Sequence, residues 1–153
     1  MPLANGCNHI ALVTQDLERF VDFYRRVFDA EVVLDMEEGP MRHAMVDVGG
    51  GFWLHPFQFA DDNPHAAGRD EVFQRGHLDH LAIAIDDAET FEEVRTRLVE
   101  AGAADGTVTD FGALRTVWFE DPDGMGAEIA IVADGAPLAF DERGQERYSA
   151  SAG

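Results

Sequence analysis

The chain has 153 residues, 46% of them apolar and 27% charged, the size and composition of one ordinary globular domain, which excludes a chain disordered throughout. Thirty acidic residues against 11 basic ones give a formal charge of −19, a field that repels nucleic-acid phosphates and anionic membrane surfaces, so neither is expected as a partner. The longest apolar runs are about eight residues, far short of the roughly 20 that span a bilayer.

In chain order, MPLANGCNHI at the start has neither the basic region nor the apolar stretch of a secretory leader. Together with a single cysteine, Cys7, which cannot form an internal disulfide, this predicts a cytoplasmic protein and a half-buried structural thiol. Residues 9–14 form a short apolar run and read as a strand. Asp16 follows as an N-cap with Glu18 near the positive end of the helix dipole, and Leu17, Phe20, Tyr24, Val27 and Phe28 recur at helical spacing. Three strands are then predicted at 31–36, 42–48 and 51–57, broken by Glu38-Gly39-Pro40 and Gly49-Gly50-Gly51.

The pattern then repeats. At an offset of 71, residues 80–101 share with 9–30 the pairs His9/His80, Ala11/Ala82, Asp16/Asp87, Glu18/Glu89, Phe20/Phe91, Arg26/Arg97 and Ala30/Ala101. After a slip of two, at an offset of 73, Arg42 falls on Arg115, Gly51 on Gly124 and His55 on Glu128. The second copy predicts a strand at 80–85 and a helix capped by Asp87, with Phe91, Val94, Leu98 and Ala101 on its inner stripe and Gly102 at its end. Strands at 104–110, 114–120 and 126–132 follow, the last two joined by the turn Asp121-Pro122-Asp123-Gly124. The expected fold is α+β: two tandem βαβββ modules, each a curled mixed sheet forming a half-barrel around a central pocket, within one domain. Module one covers 7–58, a linker 59–76, module two 77–133, and a polar C-terminal tail 134–153.

What chemistry remains open is narrow. All 11 basic residues are arginine, which excludes Schiff-base chemistry and a lysine-dependent phosphate loop, and serine occurs only as Ser149 and Ser151 in the tail, which excludes a core serine nucleophile. Strand period two puts His9 with Ala11 and Val13, His80 with Ala82 and Ala84, His55 with Trp53 and Phe57, and Glu128 with Gly126 and Ala130. If a pseudo-twofold axis relates the modules, His9, His55, His80 and Glu128 converge, and three imidazoles with one carboxylate are ligands suited to one divalent metal ion. His43 beside Arg42, His65 in the linker and His77 lack a repeat partner, although His77, three residues before His80, competes with it for the ligand position. Arg42 and Arg115, at equivalent places, are candidates to hold an anionic group of a substrate, and Trp53 and Trp118 offer stacking surface.

These motifs, HIALVTQDLERFVDFYRRVF at one start, HLDHLAIAIDD at the other and FEDPDGMGAEIAI at the end, resemble the vicinal oxygen chelate superfamily over residues 7–133. That superfamily includes glyoxalase I, methylmalonyl-CoA epimerase, extradiol dioxygenases, and bleomycin and fosfomycin resistance proteins. The resemblance implies a metal (Fe, Ni, Co, Zn or Mn) held between two half-barrels by His9, His55, His80 and Glu128, a small-molecule substrate and a homodimer. The expected activity is a glyoxalase-like lyase or isomerase acting on a molecule that chelates the metal through adjacent oxygens, with Glu128 or His55 moving the proton. Two alternatives are an Fe(II) ring-cleaving dioxygenase, with His55 outside the ligand set, and a protein that sequesters an antibiotic without turnover.

Overall fold

The computed structural model describes residues 3, 7–61, 78–132 and 146–148. The chain divides into two compact units, Met1–Arg69 and Asp70–Gly153. The first runs β1 (His9–Val13), α1 (Leu17–Phe28), β2 (Glu31–Glu38), β3 (Met41–Asp47) and β4 (Trp53–Phe59). The second repeats it as β5 (Leu81–Ala84), α2 (Ala88–Glu100), β6 (Val108–Asp110), β7 (Leu114–Glu120) and β8 (Gly126–Val132), and adds β9 (Glu146–Tyr148). Each unit has the predicted βαβββ order. Its first strand pairs in parallel with its fourth and the other pairs are antiparallel, giving the sheet orders β1-β4-β3-β2 and β5-β8-β7-β6-β9.

Both helices start where a carboxylate can meet the unpaired N–H groups of a first turn. Asp16 Oδ1 accepts from the Arg19 amide at 3.0 Å, and Asp87 Oδ1 from that of Thr90 at 2.8 Å, caps typically worth about 1 kcal/mol in partly ordered hosts. The ends differ. Helix α1 stops on Asp29, which takes the left-handed φ of 52°, whereas α2 stops on Ala101 and leaves that conformation to Gly102 at φ 70°. In the first unit Leu17, Phe20, Phe23, Tyr24 and Val27 are buried with Ala44, Val46 and Leu54 of the sheet. In the second, Phe91, Val94 and Leu98 are buried with Val117, Phe119, Ala127, Ile129 and Ile131. One expected core position is lost and an unexpected one gained: Ala101 is exposed because the helix ends there, and Arg95 is buried, its Nε donating to the Gly106 carbonyl at 2.7 Å.

Several predicted boundaries move, and glycine explains two of them. The fourth strand begins at Trp53 rather than residue 51 because Gly49, Gly50 and Gly51 all have positive φ and prolong the turn. The strand predicted at 104–110 shrinks to Val108–Asp110 because Gly106, at φ 77°, turns the chain against α2. A Cβ built on Gly106 would stand 2.9 Å from Val99 Cγ2, so only glycine fits that approach. Cys7, expected half-buried, is exposed. Within the predicted tail, β9 pairs antiparallel with β6 and covers that sheet edge. His65 and His77 lie outside the described residues. Among the described residues no helix is long and apolar enough to cross a membrane.

Candidate functional site

The helix covers one face of each sheet, so strand alternation leaves the other face free for chemistry. On β4, Leu54 and Pro56 are buried toward α1, while Trp53, His55 and Phe57 face the other way. On β8, Ala127, Ile129 and Ile131 are buried toward α2, and Gly126, Glu128 and Ala130 face away. The parallel pairing of first and fourth strands sets Ala11 beside His55 and Ala82 beside Glu128, so His9 and His80 stand at the strand starts on those same faces.

In the first unit the His9 and His55 rings meet edge to face, with centroids 5.8 Å apart. In the second, His80 Nε2 lies 3.8 Å from Glu128 Oε2. The partners on the far side of these rings matter as much. His9 Nδ1 is 2.9 Å from Asn8 Oδ1, and His80 Nδ1 is 2.7 Å from Asp79 Oδ2. Both oxygens can only accept, so Nδ1 carries the proton in each ring and Nε2 keeps a lone pair. In the neutral ring the Nε2 lone pair of His80 therefore opposes a carboxylate oxygen, an arrangement of two acceptors that a cation between them, a proton or a metal ion, relieves. An outer oxygen that fixes the ring through Nδ1 is the common companion of a metal-binding histidine, so the residues present fit a divalent ion. Asn8 and Asp79, themselves at the repeat offset of 71, were not singled out in the sequence; that coincidence was the available signal.

His55 is held differently. Its Nε2 is 2.9 Å from His43 Nδ1, and the equivalent position in the second unit holds Thr116, whose hydroxyl donates to Glu128 Oε1 at 3.2 Å. His43, which has no histidine partner in the repeat, is thus the support of His55. Burial, then the neighbouring His43 and His9, push the His55 imidazole below its ordinary value of 6.5, so the ring is neutral at neutral pH. Among the described residues no group of three or more His, Cys, Asp or Glu side chains is placed to hold a metal ion; the first unit brings His9 and His55 together, and the second His80 and Glu128.

Arg42 and Arg115 lie on the helix side, because each precedes by one residue a side chain that faces away from it. Arg42 makes a two-pronged contact with Asp35, Nε to Oδ1 at 3.0 Å and Nη2 to Oδ2 at 2.8 Å, and reaches Glu18 of α1 at 3.4 Å. That pairing raises the Arg42 guanidinium further and lowers Asp35. Arg115 stands over the Phe91 ring of α2 at 5.7 Å. The expectation that one of them points into the cup therefore meets a sheet-to-helix placement in both units. Trp118 is directly opposite Glu128, 39% exposed, and 5.4 Å from the His80 ring in a T-shaped contact. Trp53 lies on the His55 face with its Nε1 buried and without a partner.

The sequence profile of the Glyoxalase/Bleomycin resistance protein/Dioxygenase superfamily matches residues 6–129, and the chain belongs to that superfamily. Among solved structures it is similar to a glyoxylase/bleomycin resistance protein/dioxygenase domain from Frankia sp. EAN1pec, with a TM-score of 0.72, 20% identity, and 87% of this chain and 96% of that one covered. It is also similar to a mutant of the fosfomycin resistance protein FosX from Listeria monocytogenes complexed with Mn(II) and 1S,2S-dihydroxypropylphosphonic acid. There the TM-score is 0.60 and the identity 19%, covering 86% of this chain and 96% of that one. FosX from Mesorhizobium loti gives 0.55 at 23% identity, covering 83% and 91%. At these identities the likeness establishes the fold.

Proposed function

We propose that the chain is a divalent-metal-dependent lyase or isomerase of the glyoxalase type, acting on a small molecule that chelates the ion through adjacent oxygens. The observation that carries this reading is the duplicated anchoring of His9 by Asn8 and His80 by Asp79, which leaves the same ring atom, Nε2, free in both. His9, His80 and Glu128 would hold the ion, with His55 as fourth ligand or as the group that moves the proton. The ion, one of Fe, Ni, Co, Zn or Mn, supplies Lewis acidity toward a bound carbonyl or hydroxyl. The chain's own residues do the rest. Glu128 is oriented by the Thr116 hydroxyl and keeps Oε2 for a ligand or a proton, and neutral His55 can accept a proton at neutral pH. Trp118 lies against the His80 ring, and Trp53 pairs with His9 across β1 and β4, so each pair has an indole beside it. Mn(II) beside a compound with neighbouring hydroxyls in FosX supports the same ligand chemistry here.

One observation favours a second reading. His43 occupies His55 Nε2, so His55 has only Nδ1 to offer; with His55 outside, the set is His9, His80 and Glu128, two histidines and a carboxylate, which suits Fe(II) with positions left for a ring diol and oxygen. Either way we propose a cytoplasmic homodimer, and sedimentation at micromolar concentration giving a monomer of 16.8 kDa would remove the dimer. Mn(II) titration followed by electron spin resonance, with elemental analysis of protein purified without added metal, tests the site. One ion per chain is expected, lost on His80→Ala or Glu128→Ala. Unchanged binding in both variants sinks the reading, and iron in the native protein moves it to the dioxygenase.

A further inference from the structure

A histidine that is tied through one nitrogen must offer the other, and which nitrogen carries the proton decides whether it offers a donor or a lone pair. His9 and His80 are tied through Nδ1 to oxygens. His55 is tied through Nε2, and to another imidazole, His43, whose Nδ1 could donate or accept. The contact alone leaves the direction of that bond open. The far side of His43 closes it. His43 is 7% exposed, and its Nε2 is fully buried without a hydrogen-bond partner. Among the described residues the carboxylate that faces that atom is Glu38, with Oε2 at 3.9 Å. Met36 pairs with His43 and Glu38 with Met41 across β2 and β3, so Glu38 projects from the same sheet face as His43.

With both rings neutral, two arrangements satisfy the His43–His55 bond. If His43 donates from Nδ1, its Nε2 lone pair is buried facing a carboxylate, which repels it. If His43 carries its proton on Nε2, that N–H faces the carboxylate, Nδ1 becomes the acceptor, and His55 donates from Nε2. Electrostatics in a buried setting favours the second. We infer that Glu38 and His43 are positioning residues that fix His55 as the Nε2–H tautomer, so that His55 presents an Nδ1 lone pair on the face it shares with His9. His55 then differs in kind from His9 and His80, which present Nε2. What the lone pair serves, metal coordination or proton abstraction, rests on the proposed function; the tautomer does not.

The test is two-dimensional NMR of metal-free protein labelled with 15N in its imidazoles, at pH 8 and above, where the averaged shifts of the two ring nitrogens of each histidine report the ratio of its tautomers. Wild type is expected to show His55 and His43 both protonated on Nε2. A neutral imidazole in water also leans that way, so charge reversal at Glu38, an exposed residue at the end of β2, is the decisive step. In Glu38→Lys an ammonium faces His43 Nε2, and both rings should invert to the Nδ1–H form. The tautomer ratio should change by about tenfold or more, the size expected when a charge beside a buried polar atom changes sign. Glu38→Gln should fall between the two, and it serves if the lysine variant does not fold. Glu37→Lys makes the same change of charge on the opposite face of β2 and should leave His55 alone. Wild-type His55 protonated on Nδ1, no shift in either Glu38 variant, or an equal shift in Glu37→Lys would each overturn the inference. Failure of Mn(II) to bind would overturn the proposed function instead and leave the tautomer result standing.

Discussion

In the first unit the fourth strand carries His55 and the third strand supports it with His43, whereas in the second unit the same two positions hold Glu128 and Thr116. The register beneath is identical: His43 pairs with Phe57 and Thr116 with Ala130, which puts each support diagonally across from the residue it touches. The difference follows from what the supported group needs. A carboxylate accepts from any donor, so a hydroxyl that rotates to suit is enough. A neutral imidazole has one donor and one acceptor, so its support must itself have a defined proton position, and a second histidine backed by a charge provides one. The indoles show the same exchange between strands. Trp53 stands on β4, while the equivalent place on β8 is Gly126, and the ring that lies over it is Trp118 from β7. The frame is duplicated, and the side chains that finish it are solved separately in each half.

The largest expected effect asks whether the two cores carry equal weight. Phe20 and Phe91 hold equivalent places on α1 and α2 and are both almost fully buried. Phe20→Ala and Phe91→Ala should each lower stability by about 3–5 kcal/mol, from lost transfer energy and the cavity left behind. Urea unfolding of both variants checks this. Parallel loss of both units' signals in each variant would show that the halves unfold as one, and a loss confined to one would separate them.

Next comes the pair of anchors. Loss of an outer partner of a metal-bound histidine typically weakens the ion by about 10- to 100-fold, and a charged acceptor binds more strongly than an amide. Asp79→Ala should therefore weaken Mn(II) more than Asn8→Ala does, both within that range. Equal effects would mean that the carboxylate's charge is screened, and no effect of either would remove the argument that the anchors prepare Nε2. At a similar scale, a Cβ on Gly126 would meet Trp118 Cζ2 at 2.5 Å. Gly126→Ala should cost about 1–3 kcal/mol as an overpacked contact, and Trp118→Ala in the same chain should recover most of it. Thermal unfolding with tryptophan emission reads both.

Much of this is legible in the sequence, because strand alternation and the repeat both survive there. The order of elements, the two caps at Asp16 and Asp87, and the faces of His55 and Glu128 follow from spacing alone. Asn8, Asp79 and His43 did not, for two different reasons. A bond to the adjacent residue's side chain has no period to announce it. The His43–His55 contact depends on hairpin register, which the glycine turn sets. Starting the fourth strand at 51 instead of 53 hides which third-strand residue lies diagonal to His55. The direction of Arg42 was available, since His43 and Arg42 cannot share a face, but only after one of them had been placed.

The smallest effect concerns those two arginines. Asp35 is held below its ordinary value of 3.8, chiefly by its hydrogen bond to Arg42, which outweighs the opposing effect of burial, with the charges of Arg42 and then His43 adding to the lowering. A depressed carboxylate stabilises the folded state fully above the unfolded value and loses that contribution as pH falls through the folded one. Below 3.8 the unfolded chain takes up the proton first, so the stabilisation declines from there downward. The Arg42 and Asp35 side chains are 35% and 40% exposed, and solvent screening limits the pair to about 0.2–1 kcal/mol. Arg42→Met should thus cost that much at pH 5, with the cost fading as the pH is brought toward 2. Arg115 lies over a ring that does not titrate, so the cost of Arg115→Met should hold steady across the same range. Urea midpoints for wild type and both variants at pH 5, 4, 3 and 2.5 separate the cases. A cost of Arg42→Met that does not shrink with acid would mean that its carboxylate partner contributes nothing and that packing of the arginine stem along β3 is what the residue supplies.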